Sequence, residues 1–229
     1  MTEKRHQLYS DVQRAVSEGR TLCYMTRAKE LQEEACIVLG KLHEQAGHVR
    51  AEAVRTEVED TANCSLALEY VLSAVIEELR MWIALKEDRT SAAWDRLVDS
   101  QMAIHNAFLA HQIAQQFEGY PTHLATLETV LFPPLMFMSA GMTAKRCECS
   151  ICGADYDECD HILGRPYMGK LCHRIIRAAR IEEVSFVPDP ANKHCRVYTI
   201  AENGVSRDVL TGRVQPTGSA TDVASFASV

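Results

Sequence analysis

The stretch CECSICGADYDECDH, from Cys147 to His161, concentrates four cysteines and a histidine, the side chains best suited to bind a soft metal. Cys149 and Cys152 are two residues apart, the knuckle spacing that lets two thiolates reach one ion while backbone N–H groups point at sulfur. Gly153 supplies the permissive backbone such a turn needs. Cys159 and His161 extend the pattern to Cys-x2-Cys-x6-Cys-x-His, three thiolates and one imidazole. Such a set is closed and tetrahedral, with no position left for water or substrate, so the expectation is one structural Zn2+ whose binding supports folding. Cys147, the Cys172-His173 pair and the His194-Cys195 pair are further candidates for the ligand set. Packing alone accounts for Cys172 and Cys195, and for Cys23, Cys36 and Cys64 in the first half. A thioredoxin-like redox pair would need a strand-to-helix junction in an alternating β/α pattern, which the sequence lacks. An iron–sulfur cluster usually takes four cysteines, although a histidine can replace one.

The next residues set up a second chemistry. Gly164 to Lys170 reads as a tight hairpin or loop, and Leu171 to Arg180 as a short basic helix with Leu171, Ile175, Ile176 and Ala179 inward. Its outward residues Arg174, Arg177 and Arg180 are the candidate nucleic-acid contacts. From Lys145 to Arg180 there are seven Lys or Arg against five Asp or Glu, whereas the whole chain carries a net charge of −7. The acidic total gives no general reason to bind nucleic acid, so any such contact would be this local rim.

These residues must be positioned by a mainly α chain. Residues 1–131 contain four glycines and a single proline, Pro121. That scarcity of breakers predicts helices over 3–18, 27–57, 62–87, 91–117 and 123–131, forming an antiparallel helical bundle. The third helix is apolar on more than one face and should be central. Thr90 or Ser91 is the expected N-cap of the fourth, and Gly119 its stop signal. Phe132-Pro133-Pro134 forces an extended connection into a zinc-stabilised, zinc-ribbon-like α+β module over 132–214. Strands are expected at 184–187, 196–200 and within 205–214. Residues 215–229, small and polar, should form a flexible tail. The longest apolar stretch, 66–85, is interrupted by Glu69, Glu77, Glu78 and Arg80, which excludes a membrane span. With no signal-peptide pattern, the expected location is the cytoplasm, where nine cysteines serve as thiols or ligands.

One resemblance covers residues 137 to 195. Phe137-Met138-Ser139-Ala140-Gly141-Met142, then the cysteine-rich insert with Gly164, Tyr167 and Gly169, then Glu183-Val184-Ser185-Phe186-Val187 and Pro190-Ala191-Asn192 resemble the later part of tailed-phage prohead maturation proteases. The resemblance implies a Ser-x-Gly strand, an insert and a returning strand, with Ser139 at the position of the serine nucleophile and Glu183 at an acidic position near it. The family's histidine precedes the serine on a strand. Here the preceding residues read as helices, and His105, His111 and His123 lack that context.

The expected function is therefore a non-enzymatic zinc-binding protein, a helical adaptor or subunit of a larger assembly with a protein partner. Two alternatives are a nucleic-acid-binding protein using the rim at 145–180, and a degenerate prohead-protease-like serine peptidase.

Overall fold

The computed structural model describes residues 3–202 and 204–215. The expected tail lies, except for Gln215, outside the described residues. The chain is mainly helical with a smaller strand region, and it divides into two units. Among the described residues, one comprises those up to Glu128 together with Asp160–His173, the other Thr129–Cys159 with those from Arg174 onward. The short segment 160–173 thus belongs with the helices although it follows the cysteine knuckle.

In the first unit five helices form where breakers are scarce: α1 (Glu3–Arg20), α2 (Lys29–Arg55), α3 (Glu59–Lys86), α4 (Thr90–Ala110) and α5 (Tyr120–Leu131). α3 packs against α1, α2 and α4. Leu68, Leu72, Leu79 and Met81 on α3, with Leu39 on α2 and Trp94 and Leu97 on α4, are almost completely removed from water. Each such side chain contributes roughly 1.5–3 kcal/mol of transfer free energy. The central position expected for α3 is what the structure has. Its ends follow the helix dipole, with Glu59 and Asp60 in the first turn and Lys86 in the last. Asp88 adopts φ +56° in the turn to α4, a left-handed conformation that aspartate tolerates better than most residues.

The fourth helix differs from expectation at both ends. It begins at Thr90 with Arg89 in the cap position and no side-chain cap. It stops at Ala110 rather than running to residue 117, and a 3-10 turn covers Gln112–Phe117. The cause is His111, whose backbone is extended (φ −165°, ψ 147°). Its Nδ1 accepts from the Ile113 N–H at 3.0 Å, so Nε2 carries the proton directed at Asp60, 3.1 Å away. These bonds replace continuation of the helix.

Segment 160–173 packs onto this helical unit as a two-residue-stranded hairpin, β2 (Pro166–Tyr167) and β3 (Lys170–Leu171), as the loop reading anticipated. Met168 and Gly169 turn it, at φ +44° and +74°. The Gly169 N–H donates to Asn63 Oδ1 at 2.8 Å, and the Met168 N–H to Glu59 Oε1 at 3.2 Å. Arg50, held by Glu69 through two bonds of 2.6 and 3.1 Å, donates to the Gly169 carbonyl. Leu171 completes a cluster with Leu66, Ala67 and Ala110.

The second unit is built on a long antiparallel ribbon of β1 (Phe137–Cys149) and β4 (Arg174–Val187), with β5 (Thr199–Glu202) and β6 (Val205–Asp208) as a further pair. The expected strand at 184–187 lies within β4; that at 196–200 coincides with β5 only at Thr199 and Ile200; and β6 occupies the first part of 205–214. The expected basic helix at 171–180 is absent: those residues form β3 and the first half of β4. Pairing with Thr143–Cys149 overrides the helical spacing of Ile175, Ile176 and Ala179. Beyond residue 131 the described residues contain no α-helix, so the module is a β structure rather than α+β.

Candidate metal centre

The cysteine-rich stretch folds into a knuckle because its backbone turns back on the first ligand. β1 ends at Cys149, which is buried. The Gly153 N–H donates to the Cys149 carbonyl at 2.8 Å, and the Cys149 N–H to the Ala154 carbonyl at 2.9 Å. This reversal requires φ +72° at Gly153, where a side chain would be strained. It aims the Ile151 N–H at Cys149 Sγ, 3.4 Å away. The Asp155 carboxylate accepts the Asp157 N–H at 3.1 Å and starts the 3-10 turn Tyr156–Glu158, which delivers Cys159.

His161 is oriented by Tyr167. The rings meet edge to face with centroids 4.6 Å apart, and the Tyr167 hydroxyl accepts the neighbouring Ile162 N–H at 2.9 Å. The outcome is that Sγ of Cys149, Cys152 and Cys159 and a ring nitrogen of His161 all lie within 4.8 Å of one another. Ligands about 2.3 Å from a tetrahedral ion stand about 3.8 Å apart, so the group needs only a small contraction to hold one. His161 Nδ1 is buried without a hydrogen-bond partner, a polar atom that a metal would satisfy. Burial disfavours the Cys149 thiolate, but the N–H groups of Cys152 and Ile151 and the Cys159 and Cys152 thiols outweigh it, lowering its pKa to about 6. The four residues could hold a metal ion.

The structure gathers these four, and among the described residues none of the further candidates belongs to the group of ligand atoms within 4.8 Å of one another. Cys147 lies on β1 opposite Ile176. Cys172 is buried, its N–H donating to the Arg165 carbonyl at 2.8 Å, and Cys195 is half-buried beside Asn192. Cys23 and Cys64 are buried, and Cys36 half-buried.

The three arginines stand on a strand, where an i, i+3, i+6 spacing does not make one face. Each meets an acid. Arg174 lies over the Tyr156 ring at 4.3 Å and 4.0 Å from Asp157, Arg177 donates to Glu148 at 2.7 Å, and Arg180 pairs with Glu182 at 2.7 Å.

Ser139 is paired with Ser185 across the ribbon, and Glu183 folds over Gly141. In the helical unit both ring nitrogens of His111 are engaged as described, and His123 Nε2 lies 2.8 Å from Glu78. That Glu78 is fully buried and also accepts from Tyr120 at 2.5 Å. Tyr167, which orients His161, was not recognisable from the sequence as part of the centre. Its mark in the sequence was its place between Gly164 and Gly169 in the insert that carries the resemblance.

No protein-family model, curated protein or solved structure matches the chain.

Proposed function

We propose that the chain is a non-enzymatic, zinc-binding subunit of a larger assembly. In this reading α1–α5 form an antiparallel bundle, and the ion bound by Cys149, Cys152, Cys159 and His161 is structural zinc. The single observation carrying it is the convergence of three cysteine sulfurs and one ring nitrogen of His161 within 4.8 Å of one another. Three sulfurs and a nitrogen favour zinc over harder ions, and four protein ligands fill a tetrahedral shell, which suits folding rather than catalysis. Zinc there would add its binding free energy to that of the folded state. The test is metal content of protein purified without added zinc: one equivalent by mass spectrometry, and loss of it in a Cys149→Ser, Cys152→Ser double variant. Absence of metal in the unaltered protein would defeat the proposal.

The likeness to prohead maturation proteases supports a second reading, a peptidase-related module. It is favoured by one observation: the Ser139 strand and the Glu183 strand are paired neighbours with the cysteine insert between them, the order the resemblance implies. A peptidase activity lost in Ser139→Ala would establish it, and unchanged activity in that variant would dismiss it.

A further inference from the structure

The β1–β4 ribbon has two unlike faces. Residues opposed in an antiparallel pair share a face, and alternate residues along β1 continue it. The register places Met138 with Phe186, Ala140 with Val184, Met142 with Ile181 and Ala144 with Ala179. These eight residues form one face without a polar side chain. The other face carries Ser139, Thr143, Arg180, Glu183 and Ser185. The apolar face is exposed: Phe186 by 67%, Ile181 by 65%, Val184 by 60% and Met142 by 47%, with Ala140, Ala144 and Ala179 also exposed. A two-stranded ribbon is marginal on its own, and a bare apolar patch of this kind marks an interface.

We infer that this face is a homodimer interface, occupied by the same face of a second copy of the chain. Its shape is self-complementary in one orientation. Reading from the Phe137 end, the four rows run Met138–Phe186, Ala140–Val184, Met142–Ile181, Ala144–Ala179. A twofold axis perpendicular to the strands, lying between the second and third rows, reverses their order and sets β1 on β1 and β4 on β4. Phe186 of one copy then covers Ala179 of the other, Met138 covers Ala144 and Met142 covers Ala140, while Ile181 meets Val184, two branched side chains at the centre of the contact. Large side chains enter the spaces left by small ones, as in a packed sheet-on-sheet core. The same patch serves both subunits, as an isologous contact requires. The exposed parts of these side chains come to on the order of 500 Å² per copy, about 1,000 Å² for the pair, the size at which specific interfaces begin. Edge-to-edge association is less suited: the ribbon's register breaks at Gly141/Met142, Ala144/Arg146 and Arg146/Cys147, and its rim carries Lys145, Arg146 and Glu182. This inference goes beyond the zinc reading and does not depend on it.

Sedimentation equilibrium of the full chain over a wide concentration range tests it. The unaltered protein is expected to be dimeric at tens of micromolar. Phe186→Glu should raise the dissociation constant at least about thirtyfold, the loss of a hot-spot residue. Ala179→Phe, which sets Phe against Phe, should also dissociate the dimer. Joining it with Phe186→Ala exchanges the large and small positions and should restore the dimer. Circular dichroism and metal content unchanged from the parent certify each variant as folded. A parent that stays monomeric, or a dimer indifferent to Phe186→Glu and to Ile181→Lys, would overturn the inference. A double variant no tighter than Ala179→Phe alone would overturn the twofold arrangement.

Discussion

Replacing Gly169 by alanine tests the seating of the hairpin on the helices. At φ +74° an alanine pays about 1–2 kcal/mol for the left-handed backbone. Its Cβ would stand 2.9 Å from Arg50 Cγ, 3.1 Å from Arg50 Cδ and 3.3 Å from Ala62 Cβ. Arg50 cannot simply swing aside, because its guanidinium is held by both oxygens of Glu69 and by the Gly169 carbonyl itself. Ala62 is fully buried in α3. Overpacking of this kind costs about 1–3 kcal/mol, giving a total of about 2–5 kcal/mol. Gly164→Ala is the control. It lies in the same segment at φ +76°, but its added Cβ meets only Leu109 Cδ1 at 3.6 Å, an ordinary contact, so it should lose only the backbone part. Urea denaturation followed by circular dichroism measures the difference, expected at about 1–3 kcal/mol against Gly169→Ala. Equal losses in the two variants would show that the close approach of Gly169 to Arg50 and Ala62 is not made, and the argument for the docked hairpin would fall.

Further outcomes follow from the buried groups. Tyr120→Phe removes the hydroxyl that donates to the fully buried Glu78 and should cost about 2 kcal/mol in the same denaturation assay. Burial and the nearby Glu78 push the Cys23 thiol far up, so it should resist iodoacetamide at pH 8 in native protein and react once unfolded, as peptide mass mapping would report. Because Arg174, Arg177 and Arg180 each lie against an acid, a mobility assay at low salt should show no shift of duplex DNA or RNA that their joint replacement abolishes.

The helices were legible because glycine and proline are scarce before Phe132, and α3 announced its central position through apolar residues on several faces. The clustering of Cys149, Cys152, Cys159 and His161 was legible for a related reason: cysteine and histidine spacing encodes a local turn, and a knuckle needs little beyond its own backbone. What the sequence concealed is non-local. Arg174 to Arg180 has the spacing of a helix and became a strand because β1 offers a ladder partner that local propensity cannot register. The break of α4 at His111 depends on Asp60, fifty-one positions away. The hairpin of segment 160–173 is seated by backbone N–H groups finding Glu59 and Asn63, and no residue type advertises a backbone donor. The apolar face of the ribbon was written in the alternation of Met138, Ala140, Met142 and Ala144, but it becomes a face only once the register with β4 is known.

The central claim is that Cys149, Cys152, Cys159 and His161 form a closed four-ligand centre, and cobalt substitution addresses it most directly. Metal-free protein titrated with Co2+ should develop, at one equivalent, the intense visible d–d bands of tetrahedral coordination together with sulfur-to-cobalt charge-transfer absorption. His161→Ala should weaken and shift these bands, whereas Cys147→Ser should leave them unchanged. Weak bands of six-coordinate cobalt, or a spectrum that needs Cys147 and ignores His161, would contradict the account.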